Sequence, residues 1–116
     1  MKKIKFVFKS GEEEFINTVV AAKIDGEVIT FSHEGADYLI RTERFGFRRD
    51  SEDGRFVLRT GENGAEAEFI LREPEGSFPI EVKDFEFTKD DKQLFIKYKL
   101  ASDEEKSKEI ILTFDV

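Results

Sequence analysis

The sequence predicts an all-β fold, an antiparallel sandwich or barrel, on three observations. Turn signals recur at short intervals: Asp25-Gly26, Glu34-Gly35, Asp53-Gly54, Asn63-Gly64, Glu73-Pro74-Glu75-Gly76, Asp90-Asp91 and Ser102-Asp103. The segments between them alternate apolar and polar residues and carry many β-branched or aromatic side chains, the pattern of half-buried strands. Hairpin arithmetic around the turns also keeps apolar residues on one face. The 116 residues suit one domain, residues 1–116, with no composition break, linker or internal repeat.

The first strand is expected over residues 2–9, where "KKIKFVFK" alternates. It holds no apolar run long enough for a signal peptide, and no segment reaches the roughly 20 apolar residues of a membrane helix. The expectation is a cytoplasmic protein with no membrane partner.

Strands at 13–24, 27–33 and 37–42 follow. A two-residue turn at Asp25-Gly26 pairs Ala22 with Ile29, Val20 with Phe31 and Thr18 with His33. A turn at Gly35-Ala36 then pairs His33 with Tyr38 and Phe31 with Ile40. Three successive strands keep one inner face, which indicates a meander.

Strands at 44–49, 55–60 and 65–72 come next. A turn at Asn63-Gly64 pairs Glu62 with Ala65, Thr60 with Ala67, Leu58 with Phe69 and Phe56 with Leu71. The other face pairs Arg59 with Glu68, Val57 with Ile70 and Arg55 with Arg72. The apolar faces agree across the turn, as register requires.

In the strand at 78–87, Phe78, Ile80 and Val82 have one phase and Phe85 and Phe87 the other. A β-bulge near Lys83-Asp84 resolves the conflict and bends the strand. The strand at 93–100 places Leu94, Ile96, Tyr98 and Leu100 on one face, with the Tyr98 hydroxyl expected to be satisfied in the core. "SDEEKS" reads as a hairpin loop before a last strand at 107–114. Closing the sheet on itself removes edges that a phenylalanine-rich strand would expose to aggregation.

Composition excludes several chemistries. There is no cysteine, and His33 is the only histidine. Disulfides, thiolate chemistry and multi-histidine metal sites are therefore ruled out. The net charge of −7 argues against nucleic acid as a partner, because it repels phosphate backbones at long range. Thirteen phenylalanines and no tryptophan point to a phenylalanine-packed core that could fill the interior completely.

The arginines are the odd feature. All seven lie within residues 41–72 and no lysine does. By parity Arg44 and Arg48 point outward, opposite to Phe45 and Phe47, and Arg55 and Arg59 share the outer face with Val57 and Ile70. Arg49 shares the phase of Phe45 and Phe47, so it leans inward near a strand end. There it needs a partner, either a carboxylate of this chain or an anionic ligand, unless it snorkels to water at the rim. His33 and Tyr38, expected as cross-strand neighbours, form either a satisfied polar pair or part of a ligand site with Arg49.

No phosphate loop, nucleophile elbow or zinc pattern is present, so no catalytic residue, metal ligand or cofactor is assigned. "GEEEF", "SDEEKS" and "EPEG" read as solvated turns. "DSEDG" lacks the ligand spacing and terminal glutamate of a calcium loop.

Three stretches, "FGFRRDSEDGRFVLRTGENGAEAEFIL", "GSFPIEVKDFEFTKDDKQLFIKYKL" and "KEIILTF", follow one another in an order that resembles the YwiB-like family of small bacterial barrel proteins. The resemblance covers roughly residues 25–116. It implies a single antiparallel meander β-barrel of eight to ten strands, lipocalin-like (calycin-like), and no established reaction. The chain has "RRDS" where a glycine is expected soon after the strand arginine, and it lacks the Gly-x-Trp signature of true lipocalins.

Two functions fit these features. A non-enzymatic binding module would hold a small, partly apolar or anionic molecule at the barrel mouth, near Arg49, His33 and Tyr38. Alternatively, outward Arg44, Arg48, Arg55 and Arg59 would form an interaction surface for an acidic protein, RNA or a second copy of the chain.

Overall fold

A computed structural model describes residues 1–61, 64–72 and 75–114. Ten antiparallel strands follow in chain order: β1 (Lys2–Ser10), β2 (Glu13–Asp25), β3 (Val28–His33), β4 (Ala36–Arg41), β5 (Gly46–Asp50), β6 (Gly54–Gly61), β7 (Gly64–Leu71), β8 (Gly76–Lys89), β9 (Gln93–Leu100) and β10 (Asp103–Thr113). Each pairs with the next, and β1 pairs with β10, closing the meander into a barrel. The architecture is consistent with a lipocalin-like barrel. No helix among the described residues is long and apolar enough to cross a membrane.

Two long strands form the corners. β2 pairs with β1 as far as Ala22, then with β3 from Lys23 to Asp25. β8 pairs with β7 as far as Glu81, then with β9 from Val82 onward. One curved sheet therefore centres on β1, β9 and β10, and the other on β3–β7. Strands that switch sheets need bends, and bulges supply them. In β8, Asp84 and Phe85 both oppose Tyr98, and Asp84 takes a left-handed φ of 52°. This is the bulge that the phase conflict predicts, and it brings Ile80, Val82, Phe85 and Phe87 all against the core. In β2, Phe15 is the extra residue between the Phe8–Ile16 and Lys9–Glu14 pairs.

Register runs unbroken across the second sheet. One inner row reads Ile29, Ile40, Phe47, Leu58, Ala67 and Ile80 from β3 to β8. It packs against Ile4, Phe6, Leu94, Ile96, Ile110 and Leu112 of the first sheet, all fully buried. Each such side chain stabilises the fold by about 1.5–3 kcal/mol relative to exposure.

The sequence arithmetic finds the right faces but the wrong partners. Ile24 rather than Ala22 opposes Ile29, and Tyr38 rather than Ile40 opposes Phe31. Likewise Ala67 rather than Phe69 opposes Leu58, and Glu66 rather than Glu68 opposes Arg59. Every slip is two residues, which leaves each side chain on its expected face because the strand period is two. The turn chemistry explains the slips. Glu34 and Gly35 both have positive φ, at 47° and 80°, as a type I′ turn requires. The glycine thus takes the second loop position and Ala36 becomes a buried strand residue. Gly26, at 59°, takes the first loop position and Glu27 the second. Of the Asn63-Gly64 and Glu73-Pro74-Glu75-Gly76 turns, Glu62, Asn63, Glu73 and Pro74 lie outside the described residues.

Two further boundaries differ. β5 starts at Gly46, so Arg44 sits in a turn with φ 50° rather than in a strand. Phe45 is nevertheless 2% exposed, with its carbonyl accepting from the Thr60 backbone N–H and hydroxyl. Most of "SDEEKS" belongs to β10, which pairs with Leu100 at Asp103 and resumes with Tyr98 at Lys108.

Candidate ligand-binding mouth and the arginine face

The next row outward in the second sheet differs in kind. From β3 to β8 it reads Phe31, Tyr38, Arg49, Phe56, Phe69 and Phe78. One cation thus stands among five aromatic rings at the end of the barrel. Tyr38, Arg49, Phe56 and Phe69 of this row line a cavity of about 400 Å³, whose other wall includes Phe8, Phe15, Ile16, Tyr98 and Lys108. The phenylalanines therefore fill the barrel only in part. Phe15 and Phe78 stay exposed at the rim, at 58% and 52%.

Arg49 lies on the inner face, as its phase predicts, and reaches solvent at the rim. It donates from Nε to the Tyr38 hydroxyl at 3.2 Å and from Nη1 to Ser51 Oγ at 3.4 Å. Its guanidinium carbon lies 6.0 Å from the centre of the Tyr38 ring, within cation–π range. No ion pair joins it to a carboxylate among the described residues. The backbone beneath is fixed by the β5–β6 turn, where the Ser51 N–H donates to the Gly54 carbonyl at 2.9 Å.

Tyr38 is the floor. It stacks on Phe31 at 5.0 Å and 12°, and meets Phe6 edge-on at 5.0 Å. Its place opposite Arg49 and Phe31 corrects the expected pairing with His33, which follows from the two-residue slip. His33 instead opposes Ala36, one pair further out, with Nε2 3.8 Å from Glu34 Oε2. It does not line the cavity.

Sequence reasoning missed the opposite wall. Lys108 pairs across strands with Tyr98. Its ammonium donates to Ser10 Oγ at 2.6 Å and to Asp103 Oδ2 at 2.9 Å, and its side chain is only 13% exposed. The hydrogen bond from Lys108 holds the Asp103 carboxyl below the usual carboxylate range. Tyr98 is 2% exposed, and its hydroxyl makes no hydrogen bond to a described residue, contrary to the expectation of a satisfied core hydroxyl. Burial pushes its pKa up, so it remains a neutral donor. Lys108 was nonetheless legible, because it shares the phase of Ile110 and Leu112 and the register is unbroken from Lys108 to Thr113, so alternation alone turns it inward.

The outward arginines do not act as one group. Arg55 and Arg72 both clamp Asp50, whose carboxyl is held below its usual range by the Arg55 hydrogen bond first and the Arg72 bond second. Arg59 lies between Glu66 and Glu68, at 3.9 and 3.4 Å. Arg44 and Arg48, joined by Arg41, form no ion pair among the described residues and border a shallow trough of about 390 Å³ over Gly46, with Leu39 and Val57. Arg41 joins this set because register places it opposite Gly46, a relation that depends on the correct turn.

No group of three or more histidine, cysteine, aspartate or glutamate side chains gathers as a metal site among the described residues. Compared with protein-family models, curated proteins and solved structures, the chain matches none.

Proposed function

We propose that the protein is a non-enzymatic binding module that takes a small, partly apolar anion into the barrel mouth. The observation that carries this reading is Arg49 set beside Tyr38, Phe56 and Phe69 on the wall of a cavity of about 400 Å³. Ligand pockets of roughly 300–1,000 Å³, mostly apolar with a few placed polar groups, are the usual form of a small-molecule site. A guanidinium without a carboxylate partner among the described residues at such a mouth favours a ligand that brings the missing negative charge. The resemblance of residues 25–116 to the YwiB-like barrels stands beside this reading as a proposed kinship and names no reaction. A cytoplasmic setting is proposed with it.

Fluorescence titration with anilinonaphthalene sulfonate, an apolar anion, tests the reading. The dye should brighten on binding and be displaced by benzoate or octanoate more readily than by the matching neutral alcohols. Equal displacement by alcohol and acid would remove the role given to Arg49, and no brightening would remove the site.

A second reading rests on the trough flanked by Arg41, Arg44 and Arg48. Cations without carboxylate partners among the described residues, beside Leu39 and Val57, suit an acidic protein surface. Light scattering, with titration of an acidic peptide and of RNA at two salt concentrations, separates self-association, protein binding and nucleic-acid binding.

A further inference from the structure

Resting on the reading of the mouth as an anion site, we propose that its ligand is a compact aromatic monoanion with a neutral oxygen at its far end. The anionic group would meet Arg49 and the oxygen would meet Tyr98 and Lys108.

The two polar poles lie on opposite walls. Arg49 is on β5 and Lys108 on β10, five strands apart in either direction around a ten-strand ring. Both line the same cavity. A ligand that touches both must cross the mouth rather than descend into the barrel.

The poles differ in charge. Arg49 has no carboxylate partner among the described residues and therefore presents a net positive charge. The charge of Lys108 is offset by Asp103 at 2.9 Å. An ammonium has three N–H donors, and Ser10 and Asp103 take two. The third N–H remains for the cavity. Tyr98 adds a hydroxyl that no described residue satisfies. It is also not a sealed orphan, since no solvent-inaccessible side-chain N or O among the described residues lacks a partner. The hydroxyl of a 2% exposed residue is therefore reached from the cavity that it lines. Two donors from cross-strand neighbours lining one cavity, beside an already compensated charge, fit a neutral hydroxyl or carbonyl oxygen rather than a second anion.

The shape of the space selects against long chains. The floor is closed by Phe6, Tyr38 and Phe47, and below it Ile4, Ile40 and Leu58 are fully buried. No channel runs down the barrel axis for an extended acyl chain. The walls between the poles are rings, including Phe8, Phe56 and Phe69. Rings pair favourably with rings in offset or edge-on geometry, beyond the area they bury.

Calorimetric titration of the full chain tests the proposal with four probes: para-hydroxybenzoate, para-hydroxycinnamate, benzoate and octanoate. The two hydroxylated acids place their phenol oxygen at different distances from the carboxylate. At least one should bind about 5- to 10-fold more tightly than benzoate, the gain of one good hydrogen bond, and octanoate should bind less well than either. Tyr98→Phe should erase the preference for the hydroxylated acid. Arg49→Gln should weaken all four. Should octanoate match the best aromatic acid, or the hydroxylated acids show no advantage on the unaltered protein, the ligand class is wrong while the mouth remains an anion site. That comparison needs no variant to fold. Should the unaltered protein bind none of the probes and fail to brighten the dye, both the ligand class and the mouth site fall.

Discussion

Arg49 and Tyr38 face each other across β4 and β5 and are joined twice, by an Nε–hydroxyl hydrogen bond of 3.2 Å and by the guanidinium over the ring at 6.0 Å. The tyrosine thereby tethers the solvent-exposed cation at the mouth. The ring in turn is clamped by Phe6 and Phe31, so the orientation of Arg49 is set by buried packing.

Binding and stability should therefore separate at Arg49. Its contacts are one hydrogen bond to a hydroxyl, a longer one to Ser51 and a partly exposed cation–π contact. Arg49→Gln should change unfolding free energy by about 1 kcal/mol or less. It should nonetheless weaken capture of anilinonaphthalene sulfonate by about tenfold or more, since a charge-assisted hydrogen bond is worth roughly 1.5–3 kcal/mol. Urea denaturation and dye titration on the same preparation measure both quantities. A large loss of stability would mean that Arg49 holds the fold rather than the mouth.

Asp50, on β5, links β6 to the turn after β7. Arg55 and Arg72 both donate to it, and its folded pKa lies below the ordinary 3.8. A depressed carboxyl pKa adds stability that is fully present above 3.8 and is lost as pH falls through the folded value. Asp50→Asn should thus be less stable than the unaltered protein near neutrality, with the gap closing only below the unfolded pKa. Asp103, depressed by Lys108, titrates in the same direction and remains in both proteins. Urea midpoints from about pH 7 to about pH 2.5 would show the convergence. A gap that stays constant with pH would assign the effect to packing instead of charge.

How much of this was legible follows from what each signal encodes. Alternation encodes the face of a side chain, so the inward lean of Arg49 and the outward positions of Arg44, Arg48, Arg55 and Arg59 are readable in one dimension. The change of phase between Val82 and Phe85 announces a bulge in the same way. Partner identity is different. It depends on which two residues of a turn adopt positive φ, and Glu34 does so at 47° although glutamate has no special preference for it. That shift of the turn from Gly35-Ala36 to Glu34-Gly35 moves Tyr38 from His33 to Phe31, and leaves His33 outside the cavity lining. The Tyr98–Lys108 pairing was illegible for a second reason. It depends on the length of the β9–β10 connection, and the irregular stretch between Asp103 and Lys108 hides that length, although the inward phase of Lys108 itself follows from Ile110 and Leu112.

Gly54 tests how the β5–β6 turn supports Arg49. Its φ is 156°, and a Cβ built there would stand 2.3 Å from the Ile70 carbonyl oxygen across the β6–β7 ladder. Backbone atoms in a sheet cannot withdraw as a flexible side chain can. Gly54→Ala should cost about 2–4 kcal/mol, combining an unfavourable backbone region with a steric clash. The Gly54 carbonyl also accepts from Ser51, which accepts in turn from Arg49. Dye affinity should therefore fall even under conditions where the variant remains folded. Thermal unfolding and dye titration below the transition check both effects, and unchanged stability would contradict the clash.

Phe45 provides the corresponding test at the far end of the barrel. β8 leaves β7 after Glu81, so the two sheets part near the β8 bulge and no ladder seals the gap between them. A side chain must fill it, and the β4–β5 turn supplies one. Phe45 lies outside any strand yet is 2% exposed, with ring centres 5.9 and 5.4 Å from Phe85 and Phe87. These two rings point inward only because Asp84 bulges the strand. The turn is held in place by Thr60, which donates twice to the Phe45 carbonyl, and by Thr42, which donates to the Glu27 carbonyl at 2.9 Å. With its backbone so tied, the turn cannot collapse into the space a smaller residue leaves. Phe45→Ala should then lose about 3–5 kcal/mol, the upper range for a large-to-small core change, where relaxation is poor. Phe15→Ala, at an exposed ring of equal size, should lose far less because that ring is largely solvated. Chemical denaturation of the two variants side by side isolates the effect of position from that of ring size. Equal losses would mean that the turn phenylalanine does not seal the gap, and that the barrel is held at this end by its ladders alone.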